Sequence, residues 1–226
     1  MTRSVVVTGG FGVLGQAVAK AFAATGDKVA RIDFTARAQE DISGSFDIGG
    51  VDLTDAQSTS DAIARVLAAH GGVDVLVNVA GGFAWEPVES GSISTFSKMQ
   101  AMNLLTNATI TQISLPELKR SSAGRIINIG AGGGVTAGMG MAAYAASKSG
   151  VHRLTEALAA ELAGTNVTVN AVLPSIIDTP TNRADMPDAD TSSWVQPHAI
   201  AKVIQLLASP DASAISGALI PVTRGG

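Results

Sequence analysis

The chain has 226 residues, of which 46% are hydrophobic and 15% charged, with a formal net charge of −4. This composition favours one large or two small well-buried domains over a disordered or coiled-coil chain, and the negative charge argues against nonspecific nucleic-acid binding. The chain contains no cysteine, which excludes disulfides, cysteine nucleophiles and thiolate metal sites.

Short apolar segments alternate with amphipathic ones along the chain. The predicted strands are RSVVVTG, KVARID, a short segment before VDLTD, VDVLVNVA, GRIINI, NVTVNAVLP and GALIPV. The predicted helices cover residues 14–26, 55–72, 92–118, 144–163 and 197–208. This alternation predicts a single-domain α/β Rossmann fold over residues 1–226: a doubly wound parallel sheet of about seven strands with helices on both faces.

One long irregular segment interrupts this pattern. Residues 174 to 196 contain Pro174, Pro180 and Pro187, which disfavour a continuous helix or strand. A loop of this length in a compact domain is usually functional or disordered. We predict a lid over the substrate here.

The start of the chain bears on the cellular location of the protein. MTRSVVVTGG enters a strand without the apolar region and cleavage site of a signal peptide, and no apolar run approaches the ~20 residues of a membrane span. We therefore expect a cytoplasmic protein with no membrane partner.

His70, His152 and His198 lack the spacing of metal ligands, so no metal site is predicted.

A glycine-rich turn follows the first predicted strand. Gly9, Gly12 and Gly15 lie between that strand and the first helix. Glycines here let the backbone approach a pyrophosphate, and the helix N-terminus stabilises its charge. The turn predicts dinucleotide binding; a plain tight turn is the alternative.

Two carboxylates indicate the nucleoside end of the cofactor. Asp33 ends the second strand, where a carboxylate can accept hydrogen bonds from the ribose hydroxyls and would repel a 2′-phosphate. This favours NAD(H), with NADP(H) as the alternative because Arg31 and Arg37 lie close in sequence. Asp52 and Leu53 are candidates to flank the adenine. The alternatives are a strand-end turn for Asp33 and, for the second pair, simple helix capping near Thr54 and Asp55.

These residues resemble the short-chain dehydrogenase/reductase family over nearly the whole chain. The motifs that carry the resemblance, in the family's order, are TGGFGVLG at 8–15, Asp33, DL at 52, NVAG at 78–81, NL at 103, GRIINI at 124, YAASK at 144–148, NAVLPSIIDT at 170–179 and SGALIPVTRGG at 216–226.

The resemblance implies an oxidoreductase with a definite set of site residues. Tyr144 and Lys148 would be catalytic, and Asn103 would fix a water that links Lys148 to solvent; a buried helix asparagine is the alternative for Asn103. Asn78, Ala80 and Gly81 would line the middle of the cofactor, and Ile177 and Thr179 would hold its carboxamide. The full candidate cofactor set is Gly9, Gly12, Val13, Leu14, Gly15, Asp33, Asp52, Leu53, Asn78, Ala80, Gly81, Tyr144, Lys148, Pro174, Ile177 and Thr179.

The chemistry expected of the pair follows from its spacing. Residues four apart share one helix face, and a nearby ammonium lowers the pKa of a tyrosine from its usual value near ~10. Tyr144 could then donate a proton to the substrate, while Lys148 tunes it and holds the nicotinamide ribose. For Tyr144 alone, an amphipathic core residue is the alternative.

The chain departs from the family pattern at two positions. Val13 stands where standard-length members have a second glycine. Ala131 occupies the position of the catalytic serine, 13 residues before Tyr144. Residues 177–194 and the glycine motif also resemble dihydropteridine reductases, which lack that serine. Thr136, a backbone N–H of residues 130–134 or water are candidates to replace its hydroxyl.

The sequence thus predicts a reductase that transfers hydride from NAD(P)H to a small cyclic C=N or C=O substrate, with a dihydropteridine as the guess. The apolar walls of such a site would come from Phe83, Trp85, Met139, Met141 and Trp194. One alternative is a ketone reductase or alcohol dehydrogenase that tolerates Ala131, and another is a non-catalytic NAD-sensing regulator. The resemblance also implies a homodimer or homotetramer formed through residues 92–118 and 144–163.

Overall fold

The computed structural model describes residues 2–224, so the ends of the predicted domain 1–226, including the last residues of SGALIPVTRGG, lie outside them. Seven strands form one sheet. Their bounds are β1 Ser4–Thr8, β2 Lys28–Ile32, β3 Ser45–Ile48, β4 Val75–Asn78, β5 Arg125–Ile129, β6 Thr168–Pro174 and β7 Leu219–Val222.

All strand pairs in this sheet are parallel, and the order is β3-β2-β1-β4-β5-β6-β7. The strand order reverses between β1 and β4: β1 to β3 run outward to one edge of the sheet, and β4 to β7 run from β1 to the other edge. In open sheets of this kind, ligands bind at the carboxyl ends of the strands where the order reverses. The glycine-rich turn after β1 lies at that point.

Seven α-helices occur within residues 2–224. Their bounds are α1 Val13–Ala24, α2 Ala56–His70, α3 Ile93–Met99, α4 Thr106–Arg120, α5 Ala142–Glu161, α6 Pro180–Asp185 and α7 Pro197–Ala208. Short 3-10 turns occur at Gly132–Gly134, Thr191–Ser193 and Pro210–Ala212, and a π-helical turn at Gln100–Leu105 joins α3 to α4.

The two faces of the sheet bury separate apolar clusters. Alternation along β1 sends Val5 and Val7 to the face covered by α1 and α7, and sends Val6 to the face covered by α2, α4 and α5. Each of these three valines is 0% exposed. The predicted Rossmann fold, with seven parallel strands and helices on both faces, is confirmed.

Local sequence signals set the ends of α2. The Asp55 carboxylate accepts a hydrogen bond from the Ser58 N–H at 2.6 Å, which satisfies one of the free donors in the first turn. Gly71 ends the helix with φ +90°, a left-handed conformation that glycine adopts without steric cost. The capping interpretation offered for this region therefore applies to Asp55.

One predicted segment gains a local detail, and another needs correction. Residues 92–118 are helical as expected, from Ile93 to Arg120, with the π-helical turn between α3 and α4 as a local change. Residues 174–196 were expected to be irregular, but they contain α6 and the Thr191–Ser193 turn. Thr179 begins α6 by accepting the Asn182 N–H at 3.1 Å, and Pro180 occupies the first helical position, where proline is tolerated.

No helix within residues 2–224 combines the length and the hydropathy that crossing a bilayer requires. In the same part of the chain, no cluster of three or more histidine or carboxylate side chains is arranged to hold a metal ion.

Candidate active site

The turn after β1 is packed too tightly for side chains at two of its glycines. Gly9 has φ +60°, and a Cβ there would lie 2.9 Å from the backbone of Ala80. A Cβ at Gly15 would lie 2.1 Å from the Gly9 carbonyl oxygen. At Gly12, by contrast, the nearest atom would be 3.5 Å away. The turn is therefore tight on its inner side and open at Gly12.

The N-terminus of α1 lies at Gly12, in the open part of this turn. Gly12 is its N-cap and has no side chain to cap it, and the first turn carries no acidic residue. Within residues 2–224, no acceptor contacts the N–H groups of Val13, Leu14 or Gly15. A helix of this length with uncapped donors and an uncompensated dipole suits a pyrophosphate. The N-terminus of α1 therefore fits the pyrophosphate of the expected cofactor. Leu14 and Gly15 are buried, so only their backbone could contact it.

Thr8 links this turn to the next strand, a role that the sequence analysis missed. Its hydroxyl accepts the N–H groups of Val79 and Ala80 at 3.0 and 3.1 Å. These bonds hold the ends of β1 and β4 together at the reversal of strand order. The position of Thr8 directly before Gly9 was the sequence signal that could have indicated this role.

Asp33 is half-buried beside the glycine turn. Its carboxylate accepts the N–H of Phe11 at 2.9 Å and that of Thr35 at 2.8 Å. Each oxygen has a lone pair left for a ribose hydroxyl. Asp33 therefore stabilises the turns at Phe11 and Thr35 by accepting their N–H groups, and its carboxylate can still accept hydrogen bonds from ribose hydroxyls.

Arg31 cannot serve as the counter-charge for a 2′-phosphate in this arrangement. Its side chain is fully buried, lies 5.2 Å from the Phe11 ring centroid, and pairs with Asp47, with Nε 2.8 Å from the carboxylate. Arg37, in contrast, is exposed on the loop that follows β2.

Asp52 and Leu53 differ in their surroundings. Asp52 is exposed and accepts the N–H and hydroxyl of Thr54 at 2.8 and 2.7 Å, which holds the pKa of its carboxyl below the usual value. Leu53 is 5% exposed and belongs to the cluster under α2. Its side chain is therefore committed to the core, contrary to the expected place beside an adenine.

Asn78 is also committed to the interior. Its side chain is 3% exposed and lies within hydrogen-bond distance of Asn107, Thr111 and Asn128 under the sheet. The expected lining of the cofactor site by this side chain is not found, because the alternation along β4 turns it toward the helices. The backbone of Ala80 and Gly81 remains at the carboxyl edge.

Asn103 lies in the π-helical turn and is 1% exposed. Its amide accepts the Gly82 N–H at 2.8 Å and donates to the Gly82 carbonyl at 3.1 Å and to the Ser147 hydroxyl at 2.9 Å. A Cβ at Gly81 would lie 2.6 Å from its Oδ1 and 3.5 Å from Lys148 Nζ. Single π-helical turns often occur at functional sites, and this one places Asn103 beside the lysine. Sequence reasoning missed Ser147.

Tyr144 and Lys148 lie on α5 at the same edge of the sheet. Lys148 Nζ donates to the Ile129 carbonyl oxygen at 2.8 Å, and burial lowers the pKa of the Lys148 ammonium to about 8. Burial raises the pKa of Tyr144 to about 12. The expectation that Lys148 lowers the pKa of Tyr144 is thus wrong for the free protein, because burial dominates. The phenol remains protonated at neutral pH.

Ala131 is 6% exposed and begins the Gly132–Gly134 turn. The N–H groups of Gly130, Ala131 and Gly134 are bonded to Val172, His152 and Ala131 respectively. Among the described residues, the N–H groups of Gly132 and Gly133 have no acceptor, and a Cβ at Gly133 would lie 3.5 Å from the Tyr144 ring. Of these two residues, Gly133 borders the expected proton donor, and Gly132 precedes it in the same turn.

The expected apolar walls are only partly present. Phe83 packs edge-on against Tyr144 with ring centroids 4.9 Å apart, and Trp85 covers Gly140. Phe83, Trp85 and Met139 are 57%, 55% and 81% exposed, and Met141 is half-buried near Gly133. Trp194 is 3% exposed, so it packs inside the protein instead of presenting a wall to an open cleft.

The segment after β6 leaves the sheet beside these residues. Pro174 ends β6 and is buried; Ile177 pairs with Val195, so the two ends of the segment meet. The Asp178 carboxylate accepts hydrogen bonds from Arg183 at 2.6 Å and from Gln196 at 2.7 Å, and Arg183 is the main cause that lowers its pKa to about 2. These contacts close the base of the predicted lid.

We expect cofactor binding to order residues 174–196 and to protect them from trypsin. Arg183 is the one trypsin site in this segment and is 55% exposed. Saturating NADH should slow cleavage after Arg183 and leave cleavage after exposed Arg120 unchanged. Equal cleavage after Arg183 with and without NADH would contradict the lid.

The fold and the site together define a Rossmann-type oxidoreductase that uses a nicotinamide dinucleotide. Residues 3–190 match the family model described as short chain dehydrogenase, and the chain belongs to the short-chain dehydrogenase/reductase family. The expected family is confirmed.

The chain is similar to proteins of several activities. It is 36% identical to the 3-oxoacyl-(acyl-carrier-protein) reductase MabA of Mycobacterium tuberculosis, over 100% of this chain and 93% of that protein. It is 32% identical to the 2,5-dichloro-2,5-cyclohexadiene-1,4-diol dehydrogenase LinX of Sphingobium indicum, over 97% and 94%. The ligand-free aldohexose dehydrogenase AldT of Thermoplasma acidophilum matches with a TM-score of 0.88 and 26% identity, over 98% and 92%.

The names of these relatives describe reductases and dehydrogenases. They give no support to the finer resemblance to dihydropteridine reductases.

Proposed function

We propose that this enzyme is an NAD(H)-dependent reductase of a small cyclic substrate, with a C=O group better supported than a C=N group. The observation that carries the proposal is the half-buried, protonated Tyr144 one helical turn before Lys148, at the edge that holds the glycine turn. NADH would supply the hydride. Tyr144 would donate the proton to the reduced atom; burial raises the pKa of its phenol to about 12, so the phenol is protonated at neutral pH.

The preference for NAD(H) rests on Asp33 and Arg31. The Asp33 carboxylate would face a 2′-phosphate, and Arg31 is neutralised by Asp47. The uncapped turn of α1 would hold the pyrophosphate, while Ile177, Thr179 and Lys148 would hold the nicotinamide end. Asn103 would orient a water near Lys148, as the family resemblance implies.

The substrate class follows from what surrounds Tyr144. Exposed Phe83, Trp85 and Met139 offer apolar and aromatic surface that would be covered by a ring substrate. Ala131 brings no hydroxyl, so the N–H groups of Gly132 and Gly133 are the donors we assign to the substrate oxygen. A delocalised ring needs fewer such donors, because its charge spreads away from one oxygen.

A second candidate is the reduction of a 3-oxoacyl thioester. The 36% identity to MabA over the full chain favours it. Against it stands the missing serine, since a localised ketone gains most from a hydroxyl donor. The pteridine interpretation is the weaker of the cyclic possibilities, because none of the named relatives carries it.

An NADH-oxidation screen tests the proposal directly. It should include cyclic ketones, a quinonoid dihydropterin, a cyclic imine, an acyclic ketone and a 3-oxoacyl thioester. Steady turnover of a ring carbonyl supports the proposal, and preference for the thioester promotes the second candidate. NADH binding without turnover of any of them would favour a regulator that senses NAD.

We also propose a homodimer or homotetramer through residues 92–118 and 144–163, which sedimentation would test.

We expect Ala131→Ser to leave turnover of the natural substrate flat or lower. One donor to a developing oxyanion contributes ~2.7–4 kcal/mol, or ~10²–10³-fold, in established sites. A serine here would reproduce that gain only for a substrate with charge localised on one oxygen, and in a 6% exposed position it would crowd a ring. A rise in kcat of about tenfold, well below that range, would contradict the ring substrate and favour an ordinary ketone reductase. The melting temperature of the variant controls for misfolding.

A further inference from the structure

His152 is a buried histidine that none of the functions above uses. It is 2% exposed and lies on α5, one helical turn after Lys148 and two after Tyr144. Side chains four residues apart share one helix face. The three residues therefore form a row along the face that α5 presents to the end of β5.

The row holds the backbone of that strand end at two points. Lys148 donates to the carbonyl of Ile129 at 2.8 Å, and His152 Nε2 accepts the N–H of Ala131 at 3.3 Å. Because Nε2 accepts, the ring is neutral and carries its proton on Nδ1. Burial and, after it, Lys148 and Arg153 hold the pKa of His152 below its usual value, against an opposing effect of Glu156.

Two glycines make room for the imidazole ring. A Cβ at Gly130 would lie 2.6 Å from His152 Nε2, and a Cβ at Gly134 would lie 2.7 Å from its Cε1. The ring thus fits between both ends of residues 130–134. The middle of the same segment, at Gly133, borders the Tyr144 ring.

We propose that His152 is a positioning residue for the reaction: by accepting the Ala131 N–H it holds residues 130–134 against α5 and so sets the place of Gly133 relative to Tyr144. This inference rests on the proposed function, because it takes the space beside Tyr144 as the place of the substrate. It also explains how a chain with alanine at 131 keeps this segment in place, since the backbone N–H makes the contact.

Three substitutions separate this role from simple packing. Glutamine places an acceptor at the same ε position as Nε2, asparagine places it one bond short, and leucine removes it. We expect His152→Gln to keep kcat within about threefold, and His152→Asn and His152→Leu to lower kcat about tenfold or more, since small misplacements in an active site are costly. The dissociation constant for NADH should not change in any of them, because the contact lies away from the nucleotide turn.

Amide exchange of Ala131, followed by NMR, gives a readout that needs no substrate. It should stay slow in the wild type and His152→Gln and become fast in the other two variants. If wild type turns over no substrate, the proposed function fails while the exchange still tests the contact. Equal kcat in all variants, loss of kcat in His152→Gln as well, parallel loss of NADH binding, or unchanged exchange in His152→Leu would overturn the role of His152.

Discussion

Tyr144→Phe should lower kcat for the natural substrate by ~10²–10⁴-fold, the usual contribution of a general acid. The substitution removes one hydroxyl and keeps the ring, so the edge-on contact with Phe83 is retained. The free phenol is protonated at neutral pH because burial raises its pKa to about 12. It is therefore in the correct state to donate a proton during reduction.

Stopped-flow and steady-state measurements of NADH oxidation would test this expectation, with the dissociation constant of NADH as the internal control. That constant should stay within a few-fold of wild type, since the nucleotide turn is untouched. A substrate whose ring nitrogen takes its proton from water would show a smaller loss. Retention of full turnover by Tyr144→Phe would exclude Tyr144 as the acid.

Asp33→Ala should weaken NADH binding by about tenfold to a hundredfold. A hydrogen bond to a charged group contributes ~1.5–3 kcal/mol, and each 1.4 kcal/mol is about tenfold in affinity. NADPH should bind the variant no worse than wild type, because removing the carboxylate also removes its repulsion of the 2′-phosphate. The gap between the two cofactors should therefore narrow.

The matched control is Asp33→Asn, which keeps an acceptor for the Phe11 N–H and loses the charge. Cofactor fluorescence titrations of both variants separate the hydrogen bond from the repulsion. If wild type already binds NADPH as tightly as NADH, or if Asp33→Ala loses both cofactors equally, the assignment of Asp33 to the ribose is wrong.

The sequence alone predicted the fold, and it predicted the edge of the sheet where Tyr144 and Lys148 meet the glycine turn, because both depend on local patterns. Alternating apolar segments define the parallel sheet, and the spacing of Tyr144 and Lys148 puts them on one helix face. The glycines of the first turn were also recognisable, since their spacing reflects close backbone contacts.

Properties that depend on tertiary packing were not predictable in the same way. Asn78 and Leu53 have suitable residue types for a cofactor site, but their packing places both side chains in the interior: Asn78 through alternation along β4, and Leu53 in the turn that packs under α2. No residue pattern in the helical segment around Asn103 marks the π-helical turn. The pKa of Tyr144 rises because of burial, which spacing along a helix does not report.

Because Tyr144 is the only tyrosine in the chain, the protein carries its own optical reporter. Phenolate absorbs in the ultraviolet at wavelengths where a phenol does not, and here that absorbance belongs to one residue without any labelling or assignment. Ionisation of the expected proton donor in the wild-type enzyme would thus be assigned to one residue, and its raised pKa of about 12 places that titration in the alkaline range. Any change that cofactor or substrate makes in its surroundings becomes visible as a shift of a single titration curve.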